Sequence, residues 1–127
     1  MERVKTVQEN AKLNEVYRAE EPDEQGVYHT YIVAKANAEE EDYFTDSLIL
    51  AIIRFQKGPR NEKNSVSGVL EADLIEIARD RLKAHQRGEF ACQENAAAIG
   101  YLEAALAAMN DRVEDRLKRG VLGKAEK

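Results

Sequence analysis

The run VLEADLIEIARDRLKAHQRGEFACQENAAAIGYLEAALAAMNDRVEDRLK, residues 69–118, reads as two helices with one break. In Val69–Gln86, Leu70, Leu74, Ile77 or Ala78, and Leu82 return at helical spacing and share one stripe. Gly88 follows as the expected C-terminal cap, within a tight Arg87-Gly88-Glu89 turn. The second helix runs from about Ala91 to Lys118 and is rich in Ala, Leu and Glu, which form helices readily. Its stripe is Ala98, Tyr101 or Leu102, Ala105, Met109 and Val113. Gly120 ends it, with Val121 placed to pack back as in a Schellman cap. The pair is an antiparallel hairpin whose Ala97, Ala98, Ala104, Ala105, Ala107 and Ala108 permit a close approach of helices.

Upstream, Val27–Ala34 is β-branched and aromatic and reads as a strand. Its alternation sets Val27, His29, Tyr31 and Val33 against Tyr28, Thr30 and Ile32. Ser47–Gln56, SLILAIIRFQ, is the strongest apolar run; at this length and Ile content it reads as a buried strand. Asn37–Asp46 is an acidic connection, Glu20–Gly26 an acidic turn, and residues 1–13 a polar, weakly ordered start with room for a helical turn or two. Residues 57–68 form a loop with two Gly, one Pro, two Asn and two Ser, long enough to be a binding loop or a mobile segment. The expected fold is therefore α+β: a small antiparallel β-sheet followed by a long two-helix hairpin. One domain covers 1–127, divided into a polar segment to about 26, the sheet over 27–56, the loop over 57–68 and the hairpin over 69–118. Only the small sheet is available to cover the hairpin's apolar face, so a homo-oligomer is expected.

Composition excludes several classes. No apolar run approaches the ~18–20 residues that span a bilayer. The charged N-terminal stretch lacks the apolar core of a secretory signal. One cysteine in 127 residues forms no internal disulfide and suits a reducing cytoplasm. The net charge of −5 is uneven: residues 1–50 carry −7 and residues 51–127 carry +2. An anionic partner is thus expected to meet the second half. There Arg54, Lys57, Arg60 and Lys63 recur every three residues, as a solvated loop or as part of an anion site.

The chemistry-bearing residues do not assemble into a catalytic or metal-binding signature. His29 sits on a strand and His85 in the last turn of the first helix, where the dipole favours a cation and ligand contact competes with a capping role. No paired His/Cys spacing suggests zinc, and no phosphate-loop, dinucleotide or nucleophile-elbow motif occurs. Glu39-Glu40-Glu41-Asp42 lacks the alternation and glycine of a calcium loop. Cys92 opens the second helix beside Glu89 and Glu94, and reads as a small packed side chain. No cofactor is expected. Gln93 and Asn95 occupy the first turns of that helix, where free N–H groups and the dipole favour an anion. Arg112 and Arg116 lie one turn apart much further along. They meet a ligand at the helix start only if a partner protomer runs antiparallel alongside. The alternative for Arg112 is surface pairing with Asp111, Glu114 or Asp115.

Ile53-Arg54-Phe55-Gln56-Lys57-Gly58-Pro59, Gly68-Val69-Leu70 and Asp80-Arg81-Leu82 lead into His85-Gln86-Arg87-Gly88-Glu89-Phe90. Glu94-Asn95-Ala96, Leu102-Glu103-Ala104-Ala105-Leu106, Arg112, Arg116 and Arg119-Gly120-Val121-Leu122-Gly123 follow. Together these resemble, over residues ~27–124, a phage family that shares a helical hairpin domain and includes the Thoeris anti-defence sponge. Its relative by hairpin is the phage anti-CBASS sponge. The resemblance implies binding without catalysis: capture of an immune nucleotide messenger, glycocyclic ADP-ribose or a cyclic oligonucleotide, in the host bacterial cytoplasm. It implies sites formed between protomers of a dimer or hexamer, with no membrane and no DNA or RNA polymer as partner.

By the same resemblance, Asn95 and Arg112 match ligand-contacting positions, for a base or ribose and for a phosphate. His85 stands where an adenine-stacking Phe is usual, Gln93 where Arg is expected, and Met109 where Trp is frequent. Phe90 joins the expected ligand-binding set, and Arg60 is a candidate for closing over the phosphates. The alternative function is a helical-hairpin protein–protein interaction module of a phage or prophage.

Overall fold

The computed structural model describes residues 1–8, 12–36 and 48–127. The Asn37–Asp46 connection, with its acidic cluster, and Ser47 lie outside the described residues. The chain divides into two compact units, 1–55 and 56–127.

The first unit is a four-stranded antiparallel sheet in the order β1 (Glu2–Arg3), β2 (Asn14–Arg18), β3 (Thr30–Lys35), β4 (Ile49–Arg54). Residues 1–26, read from sequence as a polar segment outside the sheet, supply two of its strands. Their pairing is non-local: Val16 lies opposite Val33 and Tyr17 opposite Ile32, partners that a window of local sequence does not contain. Ile32 and Ala34 form the buried apolar part of β3, on the face shared with Glu15 and Tyr17. Glu15 is itself buried, with Oε1 3.0 Å from Lys12 Nζ and 3.6 Å from Arg3 Nη1, while Oε2 has no hydrogen-bond partner among the described residues.

The apolar run at 47–56 is a strand, as its composition indicates, but not a buried one. Among the described residues it pairs with β3 alone, as the sheet's edge, and Leu50 and Ile52 are 51% and 45% exposed. The strand read at Val27–Ala34 begins three residues later, because Val27 and His29 belong to the preceding turn. There Asp23 Oδ1 accepts from the N–H groups of Gln25 (2.8 Å) and Val27 (3.0 Å), and His29 Nε2 lies 2.8 Å from Asp23 Oδ2. These bonds, led by that from Val27, hold the Asp23 carboxyl below its ordinary pKa.

The second unit is the loop and the hairpin, α1 (Glu71–Gln86) and α2 (Gln93–Lys118). Asp73 Oδ2 accepts from Leu70 N–H at 2.8 Å, anchoring the start of α1. The helices are pinned midway by Arg79, whose Nη2 and Nε donate to Glu103 Oε2 at 2.8 and 3.1 Å. That bond is the main reason the guanidinium pKa is raised.

The α1 stripe keeps Leu74 and Leu82 of the sequence reading but passes through Ile75 and Arg79 in place of Ile77 or Ala78. Ala72, Leu74, Ile75, Arg79, Leu82 and Gln86 are half-buried, whereas Leu70, Ile77 and Ala78 are exposed. Apolar residues at 74, 75, 77 and 78 satisfy two helical phases equally, and the Arg79–Glu103 bond belongs to only one. On α2, Ala98, Leu102, Ala105 and Met109 turn inward as expected, while Tyr101, Val113 and four of the six seam alanines are exposed.

Gly88 does not adopt the left-handed conformation of a C-cap. α1 instead closes with short-range bonds, Arg87 N–H to Ala84 O and Gly88 N–H to His85 O, both 3.1 Å. Gln86 then fastens the turn: its Nε2 donates to Cys92 O at 3.0 Å, and its Oε1 accepts from Cys92 N–H at 2.8 Å. α2 ends in the expected Schellman motif. Val121 N–H reaches Arg116 O at 3.0 Å, Gly120 N–H reaches Leu117 O at 3.1 Å, and Gly120 has φ +72°. Val121 is buried. Among the described residues no helix is long and apolar enough to cross a membrane.

Candidate ligand-binding site

The loop that carries the Phe55-Gln56-Lys57-Gly58-Pro59 signature is organised by one side chain. Gln56 Oε1 accepts from Arg60 Nη2 (3.0 Å) and Nε (3.2 Å) and from Gly68 N–H (3.2 Å), and its Nε2 donates to Gly58 O (3.0 Å). Arg60 Nη2 also donates to Gly68 O at 3.0 Å. A backbone bridge, Lys57 to Val66, ties the same loop with bonds of 2.9 and 2.8 Å. The loop is thus a closed hydrogen-bonded turn, and a glutamine is its hub.

The loop's inner side meets the last turns of α2 and the residues after them, enclosing an open cleft of about 630 Å³. Among the described residues Arg60, Arg112, Arg116 and Lys124 line it, and no carboxylate does. Leu70, Val113 and Leu122 give it an apolar floor. This volume lies within the range typical of small-molecule sites, and the mix of apolar wall and convergent polar groups is what such sites share.

The four cations differ in freedom. Arg112 is exposed and, among the described residues, has no hydrogen-bond or ion-pair partner; its carboxylate neighbours at 111, 114 and 115 do not pair with it. Asp115 takes Arg119 (3.0 Å), and Glu114 accepts from Asn110 (3.3 Å). Arg60 presents its remaining Nη1, the other two nitrogens being held by the loop. Arg116, which sequence reasoning set beside Arg112 as an equivalent neighbour, has turned inward: it is 7% exposed, and Nη2 donates to Val121 O and Lys124 O at 2.9 Å each. Chemically, the cleft suits a phosphate or pyrophosphate, which guanidinium groups grip in a planar, bidentate manner.

The remaining site residues expected from sequence stand elsewhere. His85 lies in the last turn of α1, Phe90 in the connecting turn, and Gln93 and Asn95 in the first turn of α2. Seventeen residues of helix separate Asn95 from Arg112, about 25 Å at 1.5 Å per residue. The structure therefore brings Arg60 and Arg112 together, and separately gathers His85, Phe90, Gln93 and Asn95 at the opposite end of α2. Phe90 is 71% exposed. Cys92, expected as a packed side chain, is exposed and serves as N-cap, its Sγ accepting from Asn95 N–H at 3.4 Å. Among the described residues no three His, Cys, Asp or Glu side chains converge as metal ligands.

Sequence reasoning missed Gln56 and Lys124. Gln56 was visible only as a letter of the loop signature, and Lys124 lies beyond both helices, where no periodicity points to it.

A helical hairpin with a cationic cleft at its open end is the class of protein that these observations define. The family of the Acb2/Tad1 hairpin domain matches residues 48–114, more than half of the chain, and the chain belongs to that family. Among curated proteins it is similar to Thoeris anti-defense 1 of Bacillus phage SBSphiJ7, with 46% identity over 78 residues. That alignment covers 61% of this chain and 54% of the relative, so the chain spans about half the length of the curated protein it matches.

Proposed function

We propose that the protein is a phage anti-defence protein that binds a bacterial immune nucleotide messenger and sequesters it without degrading it. Glycocyclic ADP-ribose is the leading ligand, and cyclic oligonucleotides are of the same chemical kind. The observation that carries this reading is the cleft of about 630 Å³, lined among the described residues by four cations and no carboxylate, with Arg112 unpaired there at its edge. Family membership and the anti-defense name of the similar phage protein support it. It acts where the messenger is made, in the cytoplasm of the host.

Sequestration demands an affinity near nanomolar, about −12 kcal/mol. One cationic end provides phosphate contacts but no stacking surface and no base recognition. The other end offers Phe90, His85 and Asn95 but no guanidinium among the expected set. Two protomers laid antiparallel bring each end against the other's complement. A homo-oligomer, a dimer or a hexamer of such pairs, therefore supplies the enclosure that a single chain lacks. The exposed apolar residues of the hairpin, Ile77, Tyr101 and Leu117, are consistent with that second copy. The same residues support the other reading, a hairpin that docks onto a different protein.

The test is calorimetric titration with glycocyclic ADP-ribose and a panel of cyclic di- and trinucleotides, followed by heat release and mass analysis. Tight binding with intact recovery is expected. An altered product makes the protein an enzyme, and silence across the panel favours the protein-docking hairpin.

A further inference from the structure

The signature Arg119-Gly120-Val121-Leu122-Gly123 lies beyond the family match at 48–114, and its Leu122 and Gly123 line the cleft. Its residues are tied from both sides. After the Schellman turn the chain makes a second turn, Lys124 N–H to Val121 O at 3.0 Å, with Gly123 at its third position and φ +76°. Asn61 holds the turn from the loop side, donating from its backbone N–H to Gly123 O (2.9 Å) and from Nδ2 to Leu122 O (3.3 Å). Glu62 Oε1 accepts from Ala125 N–H at 3.4 Å. From the helix side, Arg116 caps both Val121 O and Lys124 O.

Arg116 is the unusual member. A guanidinium withdrawn this far from water ordinarily has a carboxylate beside it, because an uncompensated buried charge is costly. Here its partners are two neutral carbonyls, and among the described residues no carboxylate pairs with it. Its face toward the cleft is lined with further cations. The carbonyl oxygens and the negative end of the α2 dipole offset part of this charge, and an anion in the cleft would add to that compensation.

We propose that residues 120–125 are a working wall of the anion site, in which Lys124 contacts the ligand phosphate and Arg116 positions that wall while its own charge draws the phosphate. The inference rests on the messenger-binding reading and extends it to a residue set outside the hairpin.

The test is titration of glycocyclic ADP-ribose, with inorganic pyrophosphate as a smaller probe, into wild type, Lys124→Ala, Lys124→Arg, Arg116→Met and Arg116→Lys. Lys124 is exposed, so its variants are expected to fold. Lys124→Ala weakens binding about tenfold or more, the loss expected for one charge-assisted hydrogen bond. Lys124→Arg restores it, and the difference shrinks as salt is raised, since screening acts on a charge and not on a wall's shape. Arg116→Met loses more than Lys124→Ala, and Arg116→Lys recovers part of that loss. Wild-type binding that is unchanged in Lys124→Ala at low salt overturns the wall and leaves the messenger reading standing. A wild-type protein that binds neither probe overturns both.

Discussion

The two ends of α2 are built in opposite ways. At the far end, Arg112, Arg116 and Lys124 face a loop locked by Gln56, and among the described residues Arg60 and Arg116 are held by hydrogen bonds while the Arg112 and Lys124 side chains have no partner. At the near end, the turn is fastened by Gln86, but His85 and Phe90 project into solvent and Gln93 is exposed. One end is a rigid electrostatic socket; the other is a display of groups able to stack and hydrogen-bond. The difference teaches that neither end is a complete nucleotide site. On the proposed function, phosphate grip and base recognition are carried on one helix, about 25 Å apart, and two copies would be needed to bring them into one site.

The largest expected effect belongs to Arg112→Ala. Its guanidinium holds nothing together, so the variant should unfold at the wild-type temperature while its affinity for glycocyclic ADP-ribose falls about 100-fold, the upper range for a charged bidentate contact. Equal affinity in titration would remove the far end from the site. Asn95→Ala is expected to weaken binding about tenfold, the worth of one hydrogen bond to a base or ribose. Its backbone N–H, which donates to the N-cap sulfur of Cys92, survives the change. A change in helix content by circular dichroism, rather than in affinity, would make Asn95 a structural residue.

Gly123→Ala tests the socket's rigidity. An added Cβ would stand 2.5 Å from Asn61 Nδ2 in a backbone of φ +76°. A destabilisation of about 1 kcal/mol or more is expected in denaturant titration, together with weaker binding. Wild-type stability would show that the wall is not tied to the loop.

The smallest effect is a control at neither end. Asp23 has a lowered pKa in the folded protein, so its bonds stabilise fully above the unfolded carboxylate value near 4. That contribution is lost as pH falls through the lower folded value. Asp23→Asn should therefore flatten the loss of stability below about pH 4 and leave ligand affinity unchanged. An altered affinity would carry the site into the sheet.

Much of this was legible before any coordinates. Gly120 and Val121 announce the end of α2 because the Schellman motif is wholly local, and the 57–68 loop is bounded by its own Gly and Pro. β1 and β2 were not legible, since short charged strands acquire their identity from partners some 15 to 20 residues away. Gly88 misled because glycine permits a left-handed cap without requiring one. In the candidate site, Arg112 and Arg116 look alike at one-turn spacing. They part only because the chain returns after Gly120 to offer Arg116 two carbonyls, a consequence of tertiary path that helical periodicity does not encode.

The most direct measurement is subunit complementation. Arg112→Ala and Asn95→Ala proteins, each with weakened affinity when alone, are mixed, allowed to exchange subunits and titrated with glycocyclic ADP-ribose. Each mixed pair contains one site whose Arg112 and Asn95 are both native, so the mixture should recover tight binding at reduced stoichiometry. Failure to recover any tight site, with subunit exchange verified, would contradict a site shared between two copies.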